Sequence, residues 1–148
     1  MAVDAWEALF RAQVAVLCRL HTEFPSDEVS FNEYDVLFNL ARQPGRGLRF
    51  RDLNRHLLLT QPSVSRLVDR LVGGDLVTKQ SDPGDGRGTI VWLTTAGYSL
   101  FRKVAVVHAE SISARVGWTL TGDELRTLTV FCDTLRSVCC GKLRHDPK

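Results

Sequence analysis

Apolar residues recur along most of this chain at the steps of a helix, and give way to strict alternation in one short stretch near the middle. From about Asp4 to Thr22 they fall at Trp6, Leu9, Phe10, Val16, Leu17 and Leu20, with Phe24 just beyond and Gln13 as a polar gap. This predicts a first helix, ended by Pro25 and Ser26. Ser30 and Glu33 have the spacing of a capping box, so a second helix is expected to start there. Tyr34, Leu37, Phe38 and Ala41 would form its apolar face, and Pro44-Gly45 would close it.

A third helical run, roughly Phe50 to Leu57, turns Phe50, Leu53 and Leu57 inward and Arg51, Arg55 and His56 outward. Thr60 is placed to cap a fourth helix, whose early Pro62 is tolerated because first-turn amides lack intrahelical acceptors. There Val64, Leu67, Val68 and Leu71 share the core face, while Gln61, Ser63, Ser65, Arg66, Asp69 and Arg70 are left outside. Gly73-Gly74-Asp75 should end this helix through a glycine in the left-handed conformation. Two short helices joined by a tight turn, the second opening with small polar groups and continuing with arginines, fit a helix-turn-helix.

Next comes a strand over Leu76–Gln80, a loop over Ser81–Gly88 and a returning strand over Thr89–Leu93, in which Ile90 and Trp92 alternate with Val91 and Leu93. The pattern predicts a hairpin wing that carries Arg87 near its tip, among glycines and aspartates. An arginine held out on a narrow loop suits the minor groove of DNA, where the potential is most negative. Two longer helices should finish the chain. One runs from Thr94 or Thr95 to about Val116; the other opens with a capping box at Thr121 and Glu124 and carries Leu125, Leu128, Cys132, Leu135 and Cys139 at heptad spacing. The fold expected is therefore mainly α with a small β-hairpin wing: a winged helix-turn-helix over residues 30–94, flanked by dimerisation helices over 1–24 and 95–148.

Charge adds a location. The net charge is only +2, but residues 46–103 carry 10 Lys or Arg against 5 Asp or Glu, whereas residues 1–45 carry 3 against 7. A polyanionic partner would meet the middle of the chain. No stretch reaches the apolar length of a membrane span, and MAVDAWEALF lacks the basic start and apolar core of a secretory signal, so a cytoplasmic location is expected, with Cys18, Cys132, Cys139 and Cys140 as reduced thiols.

Other chemistry finds little support. His21, His56, His108 and His145 are scattered without ligand spacing, so no metal site is expected. Neither a nucleophile–base pair nor a phosphate-binding glycine loop is present; an enzyme is not expected, and no cofactor is implied. Cys18 on the first helix is read as a small, partly buried thiol, and Cys132 and Cys139 as packing residues on the heptad stripe. Cys140 leaves open an intersubunit disulfide under oxidation.

The order of elements, together with LVTKQSDPGDGRGTIVWLTTAG (76–97) and TQPSVSRLVDRL (60–71), resembles the MarR family of winged-helix transcription regulators. The resemblance implies a homodimer on double-stranded DNA. Arg87 would enter the minor groove with Asp85 fixing its orientation, and Gln61, Ser63, Ser65, Arg66 and Arg70 would face the major groove or its flanking phosphates. It also implies a repressor of a pseudo-palindromic promoter site, released by a small, commonly aromatic or phenolic, effector. Three positions depart from the family pattern: Asn54 replaces a small alanine, Leu58 a small or polar turn residue, and Asp75 a glycine. Two alternatives stay open, a redox-sensing regulator acting through Cys18 or Cys140, and a winged-helix module for protein contacts without DNA binding.

Overall fold

A computed structural model describes residues 1–57 and 59–140 of the chain, the side chains of 139 and 140 excepted. Its elements are α1 (Ala2–Thr22), α2 (Phe31–Ala41), a 3-10 turn (Pro44–Arg46), β1 (Gly47–Arg49), α3 (Phe50–His56), α4 (Gln61–Gly73), β2 (Val77–Asp82), β3 (Asp85–Leu93), α5 (Thr95–Ile112), a π-helical turn (Ser113–Gly117) and α6 (Gly122–Cys140). Two compact units result, Met1–Ala109 and the segment from Glu110 onward. Among the described residues no helix is long and apolar enough to cross a membrane.

In the first unit, the helical stripes read from the sequence meet around one core. Val36, Leu37 and Leu40 of α2, Leu53 of α3 and Val64 and Val68 of α4 are wholly buried, with Leu67 and Leu71 close to it, and Val77 and Val91 close the sheet side. Each such side chain contributes roughly 1.5–3 kcal/mol by leaving water. Capping fixes where α2 starts: Ser30 Oγ accepts from the Glu33 amide, and Glu33 Oε2 accepts from the Ser30 amide at 2.8 Å. At the start of α4 the outcome differs from the expected cap. Thr60 makes no side-chain bond to the helix amides; its hydroxyl lies 2.9 Å from that of Ser63.

Strand β1 did not show in the sequence pattern, because three residues are too few to display alternation. It makes the sheet three-stranded and antiparallel in the order β1-β3-β2, with Leu48 opposite Val91 and Lys79 opposite Val91 on the other side. The hairpin is also tighter than the eight-residue loop expected. Strands β2 and β3 continue to Asp82 and Asp85, so Pro83 and Gly84 alone connect them. Asp82 Oδ1 accepts the Gly84 amide at 2.9 Å, the short side-chain turn that aspartate favours, and the ladder shifts register between Ser81 and Asp82. Arg87 accordingly lies on β3 just after the turn, in the stretch where the ladder shifts register, rather than in the loop itself.

Helix α4 ends in the expected place by a different residue. Gly74 has an ordinary φ of −92°, and the left-handed position is taken by Asp75 at φ 56°. Aspartate tolerates that region better than most residues, and the Leu76 amide reaches back to the Leu71 carbonyl at 2.9 Å. Thr94 then joins three elements: its hydroxyl donates to the carbonyls of Asp75 (2.8 Å) and Leu76 (3.0 Å) and accepts from the Gly97 amide (2.9 Å) at the start of α5.

In the second unit, α5 gives way after Ile112 to a π-helical turn, in which the Trp118 amide bonds the Ser113 carbonyl at 3.1 Å. The expected helix therefore stops short of Val116 as an α-helix. α6 starts with its capping box formed, Glu124 Oε2 accepting from the Thr121 amide and hydroxyl, both at 2.8 Å. Of its heptad stripe, Leu125 is half-buried while Leu128, Cys132 and Leu135 are exposed.

Candidate nucleic-acid interface

The amphipathic period of α4 turns four apolar residues into the core and so presents the opposite face to solvent. Gln61, Arg66, Asp69 and Arg70 are exposed there, and Ser63 and Ser65 are half-buried. Their immediate surroundings separate them. Among the described residues the Arg66 guanidinium makes no ion pair, whereas Arg70 Nε donates to Glu33 Oε1 of α2 at 2.8 Å. Asp69 pairs with Lys79 of β2, so the carboxylate on this face is neutralised by the wing's first strand.

Glu33 is held by both neighbours. Burial pushes its carboxyl up, but the hydrogen bonds from Arg70 and Ser30 and the Arg70 charge outweigh that, leaving it below the usual carboxylate value. Arg70 thus has two possible occupations, the ion pair it makes here and an external anion, while Arg66 is open for the second.

On the wing, Arg87 is exposed on β3 and its side chain has no ion-pair partner among the described residues. Asp85 touches it through the backbone: Asp85 Oδ1 accepts the Arg87 amide at 3.2 Å. The carboxylate thereby shapes the strand that carries Arg87, and the guanidinium stays unengaged. A notch of about 210 Å³ opens beside it, bordered by Arg49, Arg51, Asp82, Asp85 and Arg87. Of these, Arg49 was not singled out from the sequence, where it reads as one more cation in a basic stretch; its partner Asp82 lies 33 positions away, Arg49 Nε standing 2.6 Å from Asp82 Oδ2. What the two elements offer chemically is a pair of free guanidinium groups, Arg66 on a helix and Arg87 on a β-ribbon, both forms suited to duplex grooves.

Residues 28–88, which span α2, the helix-turn-helix and most of the wing, match the family model described as MarR family. A MarR family transcriptional regulator from Streptomyces coelicolor, solved in complex with DNA, has a TM-score of 0.75 and 25% identity, covering 90% of this chain and 84% of that one. Over residues 28–88 this chain is similar to the MarR family, and its fold is that of a MarR family regulator.

A second structural neighbour is the PcaV transcriptional regulator from Streptomyces coelicolor in complex with its natural ligand, at 29% identity and a TM-score of 0.66 over 90% of each chain. The multiple antibiotic resistance protein MarR of Escherichia coli (strain K12) is 30% identical over 77 residues, 52% of this chain and 54% of that protein. The match thus spans about half the length of that curated relative. The winged-helix architecture expected from the sequence is the one observed, with β1 added.

The remaining sequence readings fall outside this surface. Asn54, the departure from alanine, buries its Oδ1 without a hydrogen-bond partner. Leu58, His145 and the side chain of Cys140 lie outside the described residues. Cys18 is exposed, not partly buried as expected, because the α1 face that carries it packs on nothing in a single chain. Cys132 is exposed for the same reason on α6. Among the described residues no group of three His, Cys, Asp or Glu could hold a metal ion. His108 is buried instead among the rings of Phe24, Phe31 and Tyr34, and burial pushes its imidazole below the ordinary value.

Proposed function

We propose that this protein is a homodimeric, cytoplasmic, DNA-binding transcriptional regulator that represses a pseudo-palindromic promoter site. The observation that carries the reading is the pair of unengaged cations on the two elements of a winged helix, Arg66 on α4 and Arg87 on β3. Arg66, with Gln61, Ser63 and Ser65, would meet the major groove; Arg87 would enter the adjacent minor groove; Arg70 would reach a phosphate on leaving Glu33. The DNA complex of the Streptomyces coelicolor regulator supports this assignment.

Dimerisation is supported by apolar surface that a single chain leaves in water: Trp6 and Phe10 on α1, Phe131 and Leu135 on α6. Residues 1–24 and 95–148 would supply that interface around the DNA-binding region 30–94. A twofold dimer would set two recognition helices roughly 34–36 Å apart, one turn of the duplex. A small aromatic or phenolic effector that changed the spacing would release the promoter; the PcaV regulator, solved with its natural ligand, supports only a ligand site in this fold.

The test is duplex selection from a random pool followed by titration of the enriched site across salt concentrations. Affinity should fall steeply as salt rises, and Arg87→Ala should weaken binding by about tenfold while the dimer and its helicity persist. A protein-contact module would show neither effect, and equal affinity of parent and Arg87→Ala would remove the wing assignment. Exposed Cys18 favours one second reading, a redox-sensing regulator; DNA affinity unchanged by peroxide excludes it.

A further inference from the structure

We infer that Arg49 and Asp82 form a positioning pair that sets the wing against the helix-turn-helix and so determines where Arg87 can reach; the inference rests on the DNA-binding reading above. Asp82 is a charged residue almost wholly buried at the end of β2, 5% exposed, although Ser81 before it and residues 83–87 after it are exposed. A lone carboxylate in such a place is costly unless it is paired and hydrogen-bonded, and both of its oxygens are engaged. Oδ1 holds the Gly84 amide and so closes the two-residue turn; Oδ2 lies 2.6 Å from Arg49 Nε. The N–H does not point along that line, so charge rather than an aligned hydrogen bond holds the contact.

The place of Arg49 in the chain makes this contact more than local. Arg49 is the last residue of β1 and the N-cap of α3, where the sheet turns into the first helix of the helix-turn-helix. β1 and β2 lie on opposite sides of β3, so the pair ties the two outer strands across the central one. On that strand Gly88 has no side chain; a Cβ there would stand 3.0 Å from Asp82 Cβ and 3.2 Å from the Asp85 carbonyl. The side chain fixed at one end by α3 therefore fixes, at the other, the turn from which Arg87 follows by a few residues. In the same notch the Arg87 guanidinium is left free for an outside anion.

Arg49→Gln, Arg49→Lys, Asp82→Asn and Arg87→Ala, each checked for helicity and melting temperature, separate this role from simple folding and from direct phosphate contact. Amide hydrogen exchange without DNA should show Asp85–Gly88 opening faster in Arg49→Gln and Asp82→Asn than in the parent, with α4 still protected and Arg49→Lys near the parent. With the selected duplex, Arg49→Gln and Asp82→Asn should each weaken binding by about tenfold in the parent background and by less than about twofold in the Arg87→Ala background. Unchanged exchange at Asp85–Gly88 overturns the positioning role whatever the protein binds. Losses that add in full to Arg87→Ala, or a loss in Arg49→Gln with none in Asp82→Asn, overturn it in favour of Arg49 acting on a phosphate itself. If the parent protein binds no duplex while the exchange arm gives the expected result, the functional reading fails and the wing-root pair stands.

Discussion

Arg70 Nε, on the exposed face of α4, donates to Glu33 Oε1 at 2.8 Å, while the other oxygen of the same carboxylate caps α2 through Ser30. One glutamate therefore serves a local purpose, satisfying the first turn of its own helix, and a distant one, tying that turn to α4. Glu33→Ala removes both and should cost about 1 kcal/mol at neutral pH, most of it from the lost cap. Chemical denaturation of parent and variant measures it.

The same carboxylate gives an acid limb. Burial alone would raise its pKa, but the bonds from Arg70 and Ser30 bring it below the ordinary value of 4.5. A depressed folded pKa supplies stability above the unfolded value and loses it as pH falls through the folded one. Stability should therefore decline below about pH 4.5 less steeply in Glu33→Gln than in the parent, read as melting temperature against pH.

His108 has the opposite preference. Its Nδ1 is buried without a partner among aromatic rings, so the fold favours the neutral imidazole and the pKa lies below 6.5. The unfolded chain takes up the proton first as pH falls, and stability is lost from near pH 6.5 down to the folded pKa. His108→Phe, which keeps a ring in the cluster, should flatten the melting temperature between about pH 7 and pH 5. An equal slope in both proteins contradicts this.

Gly97 sits where α5 passes the exit of α4. A Cβ there would stand 2.0 Å from the Leu76 carbonyl oxygen, a backbone atom that cannot rotate away. Gly97→Ala should destabilise by about 1–3 kcal/mol despite alanine's better helix propensity. A variant as stable as the parent would mean that the strand and helix can part without cost.

On the proposed DNA-binding reading, Arg66 and Arg70 differ in what they give up to reach a phosphate. Arg66 is unengaged and Arg70 must leave Glu33. Arg66→Ala should therefore lower the slope of log affinity against log salt by about 0.9, one phosphate contact on duplex DNA. Arg70→Ala should give a smaller affinity loss than Arg66→Ala in the same titration.

What was legible in the chain was what repeats or sits close together. Val64, Leu67, Val68 and Leu71 announce α4 by period, and Ser30–Glu33 and Thr121–Glu124 announce two helix starts by a three-residue spacing. The features that escaped depend on distance or on single backbone choices. Gly47–Arg49 is too short to alternate, and Gly86 and Gly88 read as loop although they fall within β3, in the stretch where its ladder with β2 shifts register. The left-handed residue after α4 was legible as a need but not as an address, since two glycines stood beside the aspartate that took it. The ion pairs of Arg70 and Arg49 could not be read from the sequence, because their carboxylates lie 37 and 33 positions away.

The hydroxyl of Thr94 has a mechanical consequence. Because one oxygen atom grips the exit of α4, the root of β2 and the first turn of α5 together, these three cannot swivel independently about their junction without breaking three bonds at once. With its single proton shared between two carbonyls and its oxygen taken by the Gly97 amide, this one side chain makes the junction a common anchor, so that a displacement at the base of α5 is felt at the exit of α4.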